Sequence, residues 1–365
     1  MALDEIRKTK IEKVKKLRKA GINPYPAVSN RTHSISEALA NFEKFIDSKQ
    51  EIVLAGRVMA KREMGGVIFF DIYDGSSKES KIQGLLREDN IGKDKFEQFK
   101  NFIDIGDFIE IKGPLSKTKT GERTLLSTFY LLLSKAILPL PEKWHGLQDI
   151  EERLRKRYLD FIFNPESRDI VEKRAVFWNA VREFHVKNGF LEVETPVLET
   201  TVGGADATPF VTHHGALDMD VYLRISSGEL WQKRLIVAGF NKTFEIGRIF
   251  RNEGISAEHL QDYTQCEAYW AYADYRDMYK FLQECYRYVA EKTFGTLKFK
   301  INNFDIDLGA DWPFVDYAEE VKKQTGIDIW KAAEKEIKNK LKELKVEYNK
   351  VENKARLIDS LWKYC

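Results

Sequence analysis

Two runs of β character joined by a short polar turn, Thr243 to Tyr275 (TFEIGRIFRNEGISAEHLQDYTQCEAYWAYADY), constrain the fold of this chain more than any other stretch. Phe244, Ile246, Ile249 and Phe250 supply apolar faces, Asn252 to Ser256 reads as a turn, and Tyr263, Cys266, Ala268 and Trp270 mark the returning strand. The pattern predicts a strand, loop, strand unit that holds Arg251 and Glu253 at one end of a sheet and brings Glu267 and Tyr269 back beside them. A planar guanidinium among carboxylates and a phenol can grip a phosphate, an amine and a carboxylate together. Taken alone, one Arg-x-Glu triplet is an ordinary surface ion pair, so the rest of the chain must decide.

With 365 residues the chain exceeds one comfortable core, and more than one domain is expected. Apolar residues make up 43% and charged residues 32%, with a net charge of only +2, so no global basic field marks it as a nucleic-acid binder. Charge is local instead. In the first twenty residues Arg7, Lys8, Lys10, Lys13, Lys15, Lys16, Arg18 and Lys19 face only Asp4, Glu5 and Glu12. Leu3, Ile6, Val14 and Leu17 share a helical face, giving either a basic helix that steers toward a phosphate backbone or a solvated helix packed by one stripe. Three cysteines, Cys266, Cys285 and Cys365, fit no zinc spacing or disulfide framework. No run approaches a membrane span and the start lacks an apolar leader core, so a cytoplasmic protein is expected.

From Glu51 to about Pro141 short strands dominate: IVLAGRVMAKR, VIFFDIYD, KIQGLL, DFIEIKGPL and RTLLSTFYLLL, with a helical insert at Lys93 to Phe102 between the third and fourth. Five strands with that insertion follow the order of an OB-fold, whose second and third strands bind oligonucleotides by stacking and edge contacts. Phe69 and Gln83 then become candidates to meet bases, although an aromatic residue on a strand commonly faces the core. LPLPEKW, Leu138 to Trp144, reads as a linker. Beyond it, Asn164 with Pro165 opens a long helix that Asn188 with Gly189 closes, with Ile170, Phe177, Val181 and Phe184 on one face. LEVETPVL, the Gly203-Gly204 pair and a hairpin, FVTHHGALDMDVYLRI, follow. His213 and His214 are neighbours on a strand and point to opposite faces, so no metal is assigned to them.

In this order the OB-like region, HGLQDIEERLRKRYLD, GFLEVETPVL, GGADATPFVTHH and FRNEGISAEHLQDYTQCEAYWAYADY closely resemble the class II lysyl-tRNA synthetases over nearly the whole chain. The resemblance implies an α+β multidomain protein, with an N-terminal OB-fold β-barrel followed by a class II synthetase antiparallel sheet flanked by helices. Its parts would be a basic extension (1–45), the anticodon-binding barrel (46–141), a catalytic core with motifs 1 and 2 (142–330) and the start of a helical insertion (331–365). It also implies ATP-dependent ligation of L-lysine to tRNA(Lys) through a lysyl-adenylate, with Mg2+ as cofactor and a homodimer formed through motif 1.

The site residues carried over are Arg251 on the α-phosphate of ATP and the lysine carboxylate, Glu253 on the adenine amino group, His259 near the outer phosphates and Tyr263 stacked on adenine. Gly204 and Glu229 would receive the α-ammonium, Glu267 with Tyr269 the ε-ammonium, and Arg62, Phe69 and Gln83 the anticodon. An enclosed ammonium needs a carboxylate to replace its water, which is the requirement Glu267 meets. No GxGxG occurs and the last glycine is Gly326, so the resemblance implies a fold that is C-terminally incomplete, ending before motif 3 and the magnesium ligands, with an unpaired apolar sheet edge. Aspartyl- and asparaginyl-tRNA synthetases share the architecture but need cationic or amide groups where Glu267 stands. A non-catalytic tRNA-binding paralogue lacking motif 3 is the alternative of a different class.

Overall fold

The computed structural model describes residues 3–141, 148–254, 256, 259–348 and 353–365. The end of the expected linker, at 142–144, and the start of HGLQDIEERLRKRYLD, at 145–147, lie outside the described residues, as does Ile255 of the expected turn. Two compact units divide the chain, Met1–Ile170 and Val171–Cys365.

The first unit is built on a barrel. Its strands are β1 (Glu51–Met64), β2 (Val67–Tyr73), β3 (Lys81–Arg87), β4 (Phe108–Lys117), β5 (Arg123–Ser127) and β6 (Phe129–Ser134). The order β1-β2-β3-β5-β4 closes because β4 also pairs with β1, and closure leaves these five strands no free edge. The apolar run expected as one fifth strand is two. β5 lies parallel to β3 and antiparallel to β4, whereas β6 passes Thr128 and pairs with the other end of β4. Alternation sets the inside and outside: Ile68, Phe70 and Ile72 of β2 are buried, and Val67, Phe69, Asp71 and Tyr73 face outward. Gly84 stands directly opposite Phe70, where a Cβ would come within 2.3 Å of the ring. Phe69 is therefore on the outer face, not in the core.

The helix Lys93–Phe102 plugs one end of the barrel with Phe96 and Phe99. Its last carbonyls receive the Lys61 ammonium, which donates to Phe99 (3.3 Å), Lys100 (2.6 Å) and Ile103 (2.7 Å). The basic N-terminal helix, Leu3–Lys19, is partly consumed by packing. Leu17 is buried, the Lys10 amine reaches the Ile105 carbonyl, and Lys13 pairs with Asp104 at 2.6 Å, while Leu3, placed on the packed stripe by periodicity, is exposed.

The second unit carries β7 (Leu191–Glu192), β8 (Leu198–Glu199), β9 (Val211–His214), β10 (Met219–Leu223), β11 (Lys242–Phe250), β12 (Asp262–Trp270), β13 (Lys298–Ile301) and β14 (Phe304–Asp307). β11 and β12 pair antiparallel over their full lengths, β7 joins β11 in parallel, and β9 and β10 form the expected hairpin with β8 beside it. Among the described residues β12 has no second neighbour, and an apolar groove of about 770 Å³ runs past its Cys266 and Ala268.

The helix Pro165–Lys187 ends at Gly189, whose φ of +80° completes the C-terminal turn. Val181 and Phe184 are buried with Phe190, Phe244, Phe281 and Cys285, but Ile170 and Phe177 of the expected packed face are exposed. The apolar stripe is longer than the core it covers. A separate helical cluster closes on Val321, Ile337, Leu341, Leu357 and Leu361, drawn from the helices Tyr317–Thr325, Glu334–Glu343 and Lys354–Tyr364.

Candidate active site and nucleic-acid face

The β11–β12 pair sorts its side chains by the period of two. Phe244 and Ile246 with Cys266 and Ala268 face the helices, while Thr243, Glu245 and Gly247 with Gln265, Glu267 and Tyr269 form the opposite, polar face. That polar face is built on a buried ion pair. Arg224 donates to Glu245 (2.5 Å) and to the Arg248 carbonyl (2.9 Å), and Thr195 donates to the other Glu245 oxygen (2.6 Å). Gly247 is required here, because a Cβ would lie 2.0 Å from the Arg224 guanidinium.

Glu267 sits directly opposite Glu245. Its Oε1 accepts from Gln265 (2.9 Å), and among the described residues its buried Oε2 has no partner within hydrogen-bond geometry. Burial raises its pKa above the ordinary carboxylate range. The Ser227 amide and Arg251 oppose the shift, and Glu229 and Glu245 reinforce it. Tyr269 is raised as well, by burial and then by Glu267 and Glu229. Gln232, fully buried, locks the following helix to the sheet by donating to the Ser227 carbonyl (2.8 Å) and accepting from Thr243 (2.9 Å).

Gly204, with φ of +90°, lies so close that a Cβ would approach Ser226 Oγ to 2.1 Å and Glu229 Oε2 to 2.7 Å. Glu229 opens the helix Glu229–Val237 and is paired with Lys233 one turn on. Arg251 leaves β11 with its amide on the Gln261 carbonyl (2.8 Å), donates from Nε to the Ile225 carbonyl (3.2 Å), and sets its guanidinium 5.7 Å from the Tyr263 ring centroid. Gly204, Glu229, Arg251, Tyr263, Glu267 and Tyr269 are thus drawn around one polar face. Glu253 and His259 are exposed on the loop beyond Arg251, with His259 Nδ1 2.7 Å from Ser256 Oγ.

Sequence reading passed over Thr195, Arg224, Ser226, Gln232, Glu245 and Gln265. The signal for Glu245 was available, since polar Thr243, Glu245 and Gly247 alternate with apolar neighbours in β11. Among the described residues no group of three or more His, Cys, Asp or Glu side chains could hold a metal ion. His213 is exposed beside Asp220 (3.2 Å) and His214 is half-buried.

On the barrel, register places Arg62, Phe69 and Leu85 in one row across β1, β2 and β3, and Asp71, Gln83 and Thr124 in the next across β2, β3 and β5. Both rows line an outer cleft of about 790 Å³. Its cations are Arg62, Lys81, Arg87, Lys117 and Lys119, against the carboxylates Asp71 and Glu122. The three candidate anticodon residues therefore share one surface, an aromatic ring among cations.

Comparison with known proteins places these two regions in known families. Residues 52–133 match the OB-fold nucleic acid binding domain, and residues 149–358 match tRNA synthetases class II (D, K and N). A lysine–tRNA ligase of Dehalococcoides mccartyi is 43% identical over 357 residues, covering 96% of this chain and 71% of that protein. One of Roseiflexus castenholzii is 42% identical over 337 residues, covering 92% and 68%. One of Thermosipho africanus is 41% identical over 364 residues, covering 99% and 72%.

Proposed function

Because the chain belongs to the class II tRNA synthetases of the D, K and N group, we propose that it binds L-lysine and ATP at the polar face of β11 and β12 and charges tRNA(Lys) through a lysyl-adenylate. The observation that carries the choice of amino acid is Glu267. A half-buried carboxylate with one oxygen lacking a partner calls for a cationic ligand, and the lysine ε-ammonium supplies the charge and the donors. Tyr269 flanks that ammonium, and the α-ammonium sits against Glu229 where Gly204 leaves room.

In the first step a lysine carboxylate oxygen attacks the α-phosphorus, and the bond to the pyrophosphate oxygen breaks. Two anions must approach one another. Arg251, a planar donor fixed by the Ile225 carbonyl, touches both, offsets their repulsion and sets the approach line. No proton moves in this step. Tyr263 offers a face to adenine, Glu253 an acceptor to its amino group and His259 a donor to the outer phosphates. In the second step the terminal ribose hydroxyl oxygen of the tRNA bonds to the lysyl carbonyl carbon, the bond from that carbon to the phosphate oxygen breaks, and AMP departs with the hydroxyl proton.

The barrel cleft reads the anticodon, with Phe69 stacking on a base, Arg62 and the neighbouring cations meeting the backbone, and Gln83 meeting a base edge. On this reading residues 46–141 are the anticodon-binding domain, residues 142–330 carry motifs 1 and 2, and 331–365 start a helical insertion. Val176, Phe177, Val186 and Leu198 are exposed and apolar, and they support a homodimer through motif 1. No helix among the described residues is long and apolar enough to cross a membrane, and the tRNA partner supports a cytoplasmic site of action. The direct test is exchange of labelled pyrophosphate into ATP, which should depend on lysine; exchange that responds to aspartate or asparagine and not to lysine would overturn the assignment.

A further inference from the structure

Five buried polar side-chain atoms among the described residues have no partner within hydrogen-bond geometry: Ser227 Oγ, Gln265 Oε1, Glu267 Oε2, His214 Nδ1 and Thr293 Oγ1. The first three meet at one carboxylate. Gln265 Nε2 donates to Glu267 Oε1 at 2.9 Å, so Gln265 Oε1 and Glu267 Oε2 each stand two covalent bonds from that hydrogen bond. The Ser227 amide stands against the same carboxylate and opposes the rise of its pKa, and Gln232 Nε2 bridges the Ser227 and Glu267 carbonyls at 2.8 and 3.4 Å. The nearest cation is engaged elsewhere. Arg224, whose guanidinium lies over Gly247 directly opposite Gln265, donates to Glu245, to Thr195 and to the Arg248 carbonyl. Turning the Gln265 amide over does not help while Glu267 is ionised, because the amide oxygen would then face a carboxylate oxygen.

A buried acceptor without a donor is costly, and three around one carboxylate call for a ligand that brings the donors. A primary ammonium carries three N–H donors and no acceptor. We propose that Gln265 and Ser227 are specificity-determining residues of the amino-acid site: with Glu267 Oε2 they supply three acceptors for the three N–H bonds of a lysine ε-ammonium, and so disfavour lysine that carries a methyl group on that nitrogen. Nε-methyl-lysine has the same charge and one N–H fewer. Its methyl group would turn to Gln265 Oε1 or Ser227 Oγ rather than to the carboxylate, and would leave that acceptor enclosed without a donor. Glu267 sets the charge the site requires, and Gln265 and Ser227 count the hydrogens. The inference rests on the reading of this face as the lysine site and concerns which amines that site admits.

The test is calorimetric titration of the full chain with lysine and with Nε-methyl-lysine at one pH. The wild-type protein should prefer lysine by about tenfold or more, the scale of one hydrogen bond to a charged group made or left unmade. Gln265→Met removes the amide oxygen at similar side-chain length, and the ratio should fall toward one because a thioether packs against the methyl group. Lysine itself should bind this variant more weakly, since Glu267 also loses the Gln265 hydrogen bond. A purely structural role for Gln265 would weaken both ligands alike and keep the wild-type ratio, which overturns the proposal. Should Gln265→Met fail to fold, Ser227→Ala decides in the same way: a ratio moved toward one supports the proposal and an unchanged ratio overturns it. A wild-type protein that binds the two amino acids equally also overturns it, while the lysine reading stands. Failure of the wild-type protein to bind lysine at all removes that reading and this inference with it.

Discussion

Glu245 and Glu267 stand directly opposite one another on β11 and β12, and only Glu245 has a buried cation of its own. Cross-strand neighbours lie about 4.5–5.5 Å apart at Cβ, so two carboxylates here oppose each other. Arg224 neutralises Glu245 from within the protein, with Thr195 on its second oxygen. Among the described residues Glu267 keeps one buried oxygen without a partner. The pair is asymmetric: one acid is spent on structure, and the other keeps the oxygen on which the proposed lysine site rests.

Glu267→Gln should weaken lysine binding by about 2–5 kcal/mol, the usual cost of removing one partner of an enclosed charge pair. Thermal stability of the ligand-free protein should rise, because an under-solvated charge is removed. Calorimetric titration with lysine and a melting curve on the same samples check both halves. Unchanged lysine affinity would remove Glu267 from the site.

The pKa of Glu267 gives a pH signature of definite sign. Burial, then Glu229 and Glu245, hold its folded-state value above the ordinary 4.5, against the Ser227 amide and Arg251. Its contribution to stability is therefore fully present below the unfolded pKa and is lost as pH rises through the folded one. Lysine binding runs the other way, since the ammonium requires the ionised carboxylate. Lysine affinity should fall as pH is lowered through the raised pKa, and Glu267→Gln should flatten that profile.

Phe69→Ala should reduce tRNA affinity by about 1–3 kcal/mol, the worth of stacking on one base, while leaving lysine-dependent pyrophosphate exchange intact. Because Phe69 points outward from β2, the barrel should keep its stability. Comparison of aminoacylation with exchange rates separates the two activities; equal loss in both would contradict the placement.

Lys135→Met should cost about 3–5 kcal/mol of barrel stability in urea unfolding. The Lys135 ammonium is buried and pairs with Asp104 (2.5 Å) and Asp107 (2.7 Å). Burial already raises the Asp107 pKa despite that lysine, so its removal leaves the buried Asp107 carboxylate without its compensating charge, while Asp104 keeps Lys13. Stability near the wild-type level would mean the two acids are solvated.

The parts of this fold governed by local pattern were legible in sequence, and those governed by long-range packing were not. Alternation in β2, β11 and β12 and the Gly189 helix stop follow from residue periods and turn chemistry. The division of RTLLSTFYLLL at Thr128 did not, since it depends on which end of β4 each half meets. Leu3, Ile170 and Phe177 satisfy helical periodicity yet lie beyond the reach of the cores beside them. Arg251, Glu267 and Tyr269 could be paired from the strand-loop-strand pattern, whereas Thr195 and Arg224 enter the same network from segments distant in sequence. Lys10 and Lys13 count in the sequence among the cations of a basic helix, and their contacts with the Ile105 carbonyl and Asp104 come from a segment distant in sequence.

The most direct test of the central claim is calorimetric titration of the wild-type protein with lysine and with norleucine, which has the same carbon chain without the ε-ammonium. If Glu267 is held for that cation, lysine should bind at least about a hundredfold more tightly, since norleucine would leave the acid enclosed and unpaired. Equal affinity for the two amino acids would contradict the account.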